Sequence, residues 1–310
     1  MSSTPSQSSP IHYASDVVST LSQAGLSVDS FVSGDSNLSQ ETVASFGEEW
    51  EHFNRFEDDE LRDIGSDYFD LLPASVCNGK SLALDVGCGS GRWTKLIAPK
   101  LGWVEAVDPS SAVFVAQQNC RDLKNVRVSQ ASVDNLPFHP GSFDLVFSLG
   151  VLHHVPDTAA GIRKCADMVK PGGFFLVYLY YSLDNRGAIY RGLFSAVNAV
   201  RRVICRLPGF WKQIVCDAIA GLVYWPMARF AAAMERFAGR EAAERLPLNY
   251  YRKTRFQIMR NDSRDRFGTP LEQRFSRAQI QSMLLAAGLV DIQFSPAQPF
   301  WVALAKKPGH

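Results

Sequence analysis

The chain has 310 residues, 46% of them hydrophobic and 20% charged, with a formal net charge of +1. That length suits one large domain or a core with a smaller addition, and so even a charge balance argues against a nucleic-acid partner held by bulk charge. Six scattered cysteines without a C-x-x-C pair argue against a zinc ribbon or a disulfide framework and favour a reducing, cytoplasmic compartment.

Residues 1–13, opening on Ser, Pro, Gln and Thr, read as a disordered tail. Residues 14–26 read as a short amphipathic helix. Residues 40–72 carry Val43, Phe46, Trp50, Phe53 and Phe56, then Leu61, Ile64, Tyr68 and Leu71, at near-helical spacing, and Pro73 closes the run. Residues 14–75 are therefore predicted to be an N-terminal helical lid. From Lys80 the pattern changes to short β-rich runs, at 81–86, 103–107, 126–130, 143–148 and 174–180, alternating with helical stretches. Near-continuous apolar strands separated by helices predict a parallel sheet covered on both faces, an α/β fold.

The alternation lapses over residues 182–275, which read as helical and rich in Arg and aromatics. Tyr190, Leu193, Phe194, Val197, Val200 and Ile204 form one stripe beside Arg191, Arg201 and Arg202. Residues 260–266 alternate charge and read as a solvated loop. The α/β pattern resumes where Ser276 and Gln279 fit a capping box and Gly288 a helix stop; residues 289–294 and 301–305 read as closing strands. The predicted organisation is thus an α/β core at 76–181 and 276–307, with a helical cap at 182–275. Through residue 75 the chain has fourteen acidic residues against two basic; between Tyr190 and Arg260 it has thirteen basic against four acidic. That split suits two segments facing each other, or equally two solvated surfaces. The longest uncharged run in the most apolar region, 218–228, is 11 residues long and contains Pro226. A crossing needs about 20 apolar residues, so no bilayer span is predicted.

Chemistry concentrates at Leu84-Asp85-Val86-Gly87-Cys88-Gly89-Ser90-Gly91-Arg92-Trp93. An apolar strand runs into a turn with three alternate glycines and then into a helix, so backbone can approach a ligand closely. The dinucleotide fingerprint G-x-G-x-x-G is absent, and the preceding Asp85 is ill-suited to a pyrophosphate but suits a ligand with an ammonium group. Asp108 ends the second strand 17 residues after Gly91, where a carboxylate can accept both hydroxyls of a ribose. An Asp that merely starts the Asp108-Pro109-Ser110 turn fits the same residues. Ser132-Val133-Asp134-Asn135-Leu136-Pro137-Phe138, Ser142-Phe143-Asp144-Leu145-Val146, Leu149-Gly150-Val151-Leu152-His153-His154 and Lys170-Pro171-Gly172-Gly173-Phe174 follow in order.

This ordered set resembles the class I S-adenosylmethionine-dependent methyltransferases, especially the small-molecule branch that includes the ubiquinone and menaquinone C-methyltransferases. The resemblance implies a Rossmann-like seven-stranded sheet with an antiparallel last strand, helices on both faces, and S-adenosyl-L-methionine lying across the carboxyl ends of the strands. It implies Asp85, Gly87, Cys88 and Gly89 along the methionine moiety, with Arg92 in reach of its carboxylate. Asp108 and Pro109 fall at the ribose, Ser132, Val133 and Asp134 at the edge of the adenine, and Leu149 beneath the cofactor. Many relatives carry an acidic residue where this chain has Ser132; a serine hydroxyl can still accept from the adenine amino group.

His153 and His154 stand where an acceptor approaches, and either is a candidate general base, although displacement at a sulfonium methyl can proceed by alignment alone. In the cap, Tyr250, Tyr251, Arg252 and Arg255 are candidate acceptor contacts; the same residues would equally serve as the cap's own core and surface. The expected partner is a small-molecule acceptor, with the methylated atom (O, N, S or C) and the oligomeric state open. A second reading is a membrane-docking lipid or quinone methyltransferase, from the basic residues between Arg191 and Arg206 and the apolar stretch 218–233. A third is a non-catalytic S-adenosylmethionine-binding module.

Overall fold

A computed structural model of the chain describes residues 9–32, 37–52, 65, 67–183, 187–296 and 301–309. In chain order its strands are β1 (Ser19–Gln23), β2 (Leu26–Ser30), β3 (Leu82–Val86), β4 (Trp103–Asp108), β5 (Val126–Gln130), β6 (Phe143–Leu149), β7 (Val169–Tyr178), β8 (Val290–Phe294) and β9 (Val302–Lys306). The α-helices are α1 (Gln40–His52), α2 (Arg92–Ile97), α3 (Ala112–Asn119), α4 (Thr158–Met168), α5 (Ala188–Ile204), α6 (Gly209–Ile219), α7 (Trp225–Ala238), α8 (Arg240–Glu244), α9 (Phe256–Gly268) and α10 (Arg277–Ala286). The chain divides into two compact units, one of residues 1–184 and 271–310, the other Asn185–Pro270.

The first unit holds one nine-stranded sheet in the order β1-β2-β5-β4-β3-β6-β7-β9-β8. The six central strands β2-β5-β4-β3-β6-β7 run parallel to one another, β1 is antiparallel to β2, and β9 is antiparallel to both β7 and β8. The predicted α/β class and antiparallel last strand hold, with two strands more than the seven expected. Alternation within each strand decides which face a residue joins. Leu84, Val86 and Val146 pack with Ile162 of α4 and Ile280 and Leu284 of α10. Ala83, Leu145 and Phe147 pack with Trp93 and Ile97 of α2 on the other face. Asp144 accepts from the Leu82 amide at 2.8 Å and pairs with Lys170 at 2.9 Å, locking the starts of β3, β6 and β7 together. The Ser276 capping box is present, with Gln279 N donating to Ser276 Oγ at 3.2 Å and Ser276 N donating to Gln279 Oε1 at 2.8 Å.

The two extra strands correct the N-terminal reading. Residues 14–26 form no helix; most of them make the β1–β2 hairpin, added to the sheet edge at β5. Ala24 and Gly25 both adopt positive φ, 51° and 81°, the two-residue turn that suits the right-handed twist of a hairpin. A glycine at that turn outweighs helical spacing counted over a short apolar run. Residues 9–13 are likewise no loose tail. Ser9 donates to Glu105 at 2.6 Å, Ile11 is buried, and Tyr13 is sandwiched between Phe31 and the Arg127 guanidinium. Phe53, Phe56, Leu61 and Ile64, and the side chain of Trp50, lie outside the described residues.

The second unit is helical, as its sequence predicts. Ile204, Cys216, Tyr224, Ala228, Met259 and Phe267 form its core. The side chains of Tyr190, Arg191 and Leu193 lie outside the described residues. Residues 260–266, read as a solvated loop, belong to α9 instead, because Arg260 and Arg264 both grip Asp217 of α6 through two nitrogens each. Pro226 does not break the apolar stretch. A π-helical turn at Ala220–Tyr224 precedes it, so the missing proline N–H and the ring fall at the first turn of α7, where both are tolerated. Gly209–Ala238 is consequently one continuous helix, long and apolar enough by length and composition to cross a membrane. The count of uninterrupted uncharged residues had pointed the other way.

Candidate functional site

The strand order reverses between β4 and β6 around β3, so the loops at the carboxyl ends of these strands part and leave a crevice, the usual ligand position in open α/β sheets. Asp85 is the penultimate residue of β3 and is 1% exposed. Thr94 of α2 donates to it at 2.6 Å, burial pushes its pKa up to about 7, and the neighbouring Asp108 carboxylate pushes in the same direction. Asp108, at the tip of β4, accepts from the Gly89 amide at 2.9 Å and from the Ser110 amide and hydroxyl at 2.9 and 2.5 Å. Its pKa is also raised, by burial. Two carboxylates whose charged forms are disfavoured by burial, set at one crevice, suit a cationic ligand.

The turn between them is shaped by glycine. Gly87 has φ +82°, and a Cβ there would sit 2.4 Å from a Val151 methyl; Gly91 has φ +75°, and a Cβ would meet the Ala116 Cα of α3 at 3.0 Å. Cys88 is buried behind the turn, its thiol pushed well above the ordinary range by burial and the two aspartates. The Arg92 guanidinium stacks on Trp93 at 4.7 Å. Leu149 ends β6 as a buried floor residue, and the preceding Ser148 donates to the Val86 carbonyl at 2.8 Å.

On the far side of Asp108 lies the turn after β5. Ser132 and Val133 are buried, and the Ser132 hydroxyl has no hydrogen-bond partner among the described residues. Asp134, in the same turn, accepts from the Asn37 amide at 2.6 Å. Asn37 also exchanges hydrogen bonds with the backbone of Asp157, at 2.6 and 2.9 Å. This latch starts a strap that continues into α1, where the Phe46 ring meets His154 at 4.9 Å and Gly47 passes against Ser111. The strap therefore crosses the strand ends from the turn after β6 to the turn after β4. Pro109 contributes its carbonyl, which accepts from Gln130 at 3.1 Å.

His153 and His154 are both buried. Their segment is held by the returning chain: Gln273 N donates to the His153 carbonyl at 3.0 Å, and His154 Nδ1 bonds the Leu271 carbonyl at 2.6 Å. The bond to a carbonyl makes His154 Nδ1 a proton donor. His153 stacks on Tyr180 with ring centroids 3.9 Å apart, and burial and His154 hold its pKa well below the ordinary imidazole value. Tyr180 also lies beside Tyr178, at 5.9 Å, and Tyr178 beside Tyr68, at 5.2 Å. Sequence reading missed this aromatic corner, although the Tyr-x-Tyr-Tyr run at the carboxyl end of β7 signals it.

The four candidate acceptor contacts of the helical unit are not gathered into a site of their own. Arg252 is committed to Glu235, at 3.1 and 3.3 Å, and to the Asn249 carbonyl. Tyr251 packs on Tyr224 at 5.2 Å, and burial drives its phenol well above its ordinary pKa. Those two serve the unit's own packing, because a short 3-10 helix at Asn249–Lys253 turns them inward. Tyr250 meets Tyr251 edge-on, and Arg255 is the exposed residue before α9.

Residues 84–177 match the family model described as a methyltransferase domain. The chain is 32% identical over 191 residues to the ubiquinone biosynthesis O-methyltransferase of Marinobacter nauticus, covering 58% of this chain and 77% of that one. It is 30% identical to the protein of the same name from Aromatoleum aromaticum, covering 58% and 72%. Among solved structures, the YcgJ protein from Bacillus subtilis is similar over 77% of this chain and 70% of its own, with a TM-score of 0.45 and 18% identity. The family match, the two relatives, and the glycine turn between paired aspartates agree: the chain belongs to the class I S-adenosylmethionine-dependent methyltransferases.

Proposed function

We propose that the enzyme transfers a methyl group to an oxygen of a small-molecule acceptor, with Asp85, Gly87, Cys88, Gly89 and Arg92 at the methionine end of the donor. Asp108 and Pro109 take the ribose, Ser132 and Val133 the adenine, and Leu149 the floor. The observation that carries the reading is the Asp85–Asp108 pair: Asp85 is buried and feels the Asp108 charge, and Asp108 accepts from the Gly89 amide of the turn at 2.9 Å. S-adenosylmethionine, when bound, supplies a methyl group on a positively charged sulfur and a leaving thioether.

The protein's own residues then have three tasks. Asp85 and Asp108 hold the cationic ligand by charge and by accepting hydrogen bonds, which are stronger when the acceptor is ionised. The buried, unpartnered Ser132 hydroxyl offers the polar contact that an adenine edge needs. The strap of residues 37–47 and the aromatic corner of Tyr178, Tyr180, His153 and Phe46 exclude water and orient a flat, largely apolar acceptor. The acceptor oxygen attacks as its oxyanion after its proton has passed to solvent. The O–CH3 bond forms as the S–CH3 bond breaks, the electron pair leaves on the thioether sulfur, and alignment of nucleophile, methyl and sulfur supplies the acceleration. The oxygen assignment is supported by the names of the two relatives.

The test pairs calorimetry with a labelled-donor assay. S-adenosylhomocysteine should bind the wild-type chain and lose most of its affinity with Asp108→Ala. Labelled methyl from S-adenosylmethionine should enter small hydroxylated metabolites of an extract. Label recovered only in protein or RNA would refute the small-molecule reading.

A further inference from the structure

The helical unit carries a surface that its own packing leaves uncovered. The continuous helix Gly209–Ala238 is about 45 Å long at 1.5 Å per residue. Its inward side places Cys216, Ala220, Tyr224 and Ala228 in the unit's core. Its outward side exposes Phe210, Trp211, Leu222, Trp225, Phe230 and Phe237, with Leu222 79% and Phe237 85% accessible. Scattered exposed apolar residues are ordinary, but six large ones on the uncovered side of one helix, Phe210 and Trp211 packed edge to face, mark an interaction surface.

Charge identifies the partner. The helix has two acidic residues, and both are neutralised from within the unit: Asp217 by Arg260 and Arg264, Glu235 by Arg252 and Lys253. Its exposed charges, Arg229 and Arg236, are both basic. Arg229 donates to the main-chain carbonyls of Arg252 and Thr254, and neither arginine has a carboxylate partner among the described residues. Arg202 and Arg206, exposed around the end of α5, add to the same sign. A second copy of the chain on this face would set arginine against arginine with no exposed acid on the helix to answer it.

We propose that this face docks on an anionic lipid bilayer, with Gly209–Ala238 lying in the headgroup plane. Tryptophan and phenylalanine partition to the boundary between headgroups and acyl chains, while basic side chains meet lipid phosphates. The helix lies flat and does not span, because spanning would strip the inward side from its core and carry Asp217, Arg229 and Arg236 into hydrocarbon. The docking stands on the helical unit's surface alone, so its failure would leave the methyl-transfer reading untouched.

Flotation of the full chain with vesicles of phosphatidylcholine containing one-third phosphatidylglycerol tests this, beside pure phosphatidylcholine vesicles, each at low and high salt. The chain should float with the anionic vesicles at low salt, and brominated lipid should quench its tryptophan fluorescence. Leu222→Ser with Phe237→Ser, at positions too exposed to affect folding, should lower partitioning about tenfold. Arg229→Gln with Arg236→Gln should lower it about 25-fold, from roughly fivefold for each basic group removed near an anionic surface. Unchanged circular dichroism and S-adenosylhomocysteine affinity would show that both variants fold. The proposal is overturned by failure to float with anionic vesicles, by equal flotation with neutral ones, or by variants that float like the wild type. A lipid-free dimer that the Leu222/Phe237 variant dissolves would overturn it in favour of self-association.

Discussion

Replacing Asp85 with asparagine should make the ligand-free enzyme more stable, by an amount that grows with pH. The Asp85 carboxyl is buried and titrates near about 7, against an ordinary value of 3.8. The native state therefore binds this proton more tightly than the unfolded chain, and ionising the group within the fold is costly. The penalty is absent below the unfolded value, grows between about pH 4 and pH 7, and is complete above that. Three pKa units at about 1.4 kcal/mol each make it about 4 kcal/mol when complete. Asparagine keeps the shape and still accepts from Thr94, but cannot ionise. In urea denaturation, the stability gap between Asp85→Asn and wild type should widen by about 3 kcal/mol from pH 5 to pH 8. The same reasoning applies to binding: at pH 7 the group is about half protonated, so a cationic ligand should expel roughly half a proton. Calorimetry of S-adenosylmethionine in two buffers of different ionisation enthalpy reads that number directly. A gap that stays constant with pH, together with binding that releases no proton, would refute the assignment of Asp85 as a strained, cation-seeking carboxylate.

Other outcomes follow from the same geometry. Asp108→Ala removes the acceptor of the Gly89 and Ser110 bonds and should weaken donor binding about 100-fold, corresponding to about 3 kcal/mol, by calorimetry. Gly91→Ala forces a side chain into positive φ against the α3 backbone and should cost about 1–3 kcal/mol in chemical denaturation. Asn37→Ala unfastens the strap from Asp134 and Asp157; hydrogen exchange over residues 37–47 should accelerate while the sheet stays protected, and the donor KM should rise several-fold. Ser276→Ala deletes the α10 cap and should cost about 1 kcal/mol without affecting donor affinity.

Much of the core was legible in the chain because its signals are local. Strands such as Leu82–Val86 are short apolar runs bounded by turn residues, and the capping box at Ser276 needs only four residues in succession. The glycine turn and Asp108 announce themselves by spacing, since a tight loop after a buried strand tolerates few other residues. What spacing could not show was which partners come from far along the chain. Asn37, 97 residues from Asp134, donates to its carboxylate. The returning chain places the Leu271 carbonyl on the His154 ring.

The sequence by itself determined the α/β class, the order of motifs around the crevice and the chemistry of the carboxylate pair, because residue type and near-neighbour spacing suffice for them. Only the tertiary structure decided that residues 19–30 extend the sheet as a hairpin, that Arg252 and Tyr251 pack within their own unit, and that Pro226 sits within an unbroken helix. Those outcomes depend on which distant groups satisfy a buried charge or an open backbone bond, and that competition is settled only when the chain is folded.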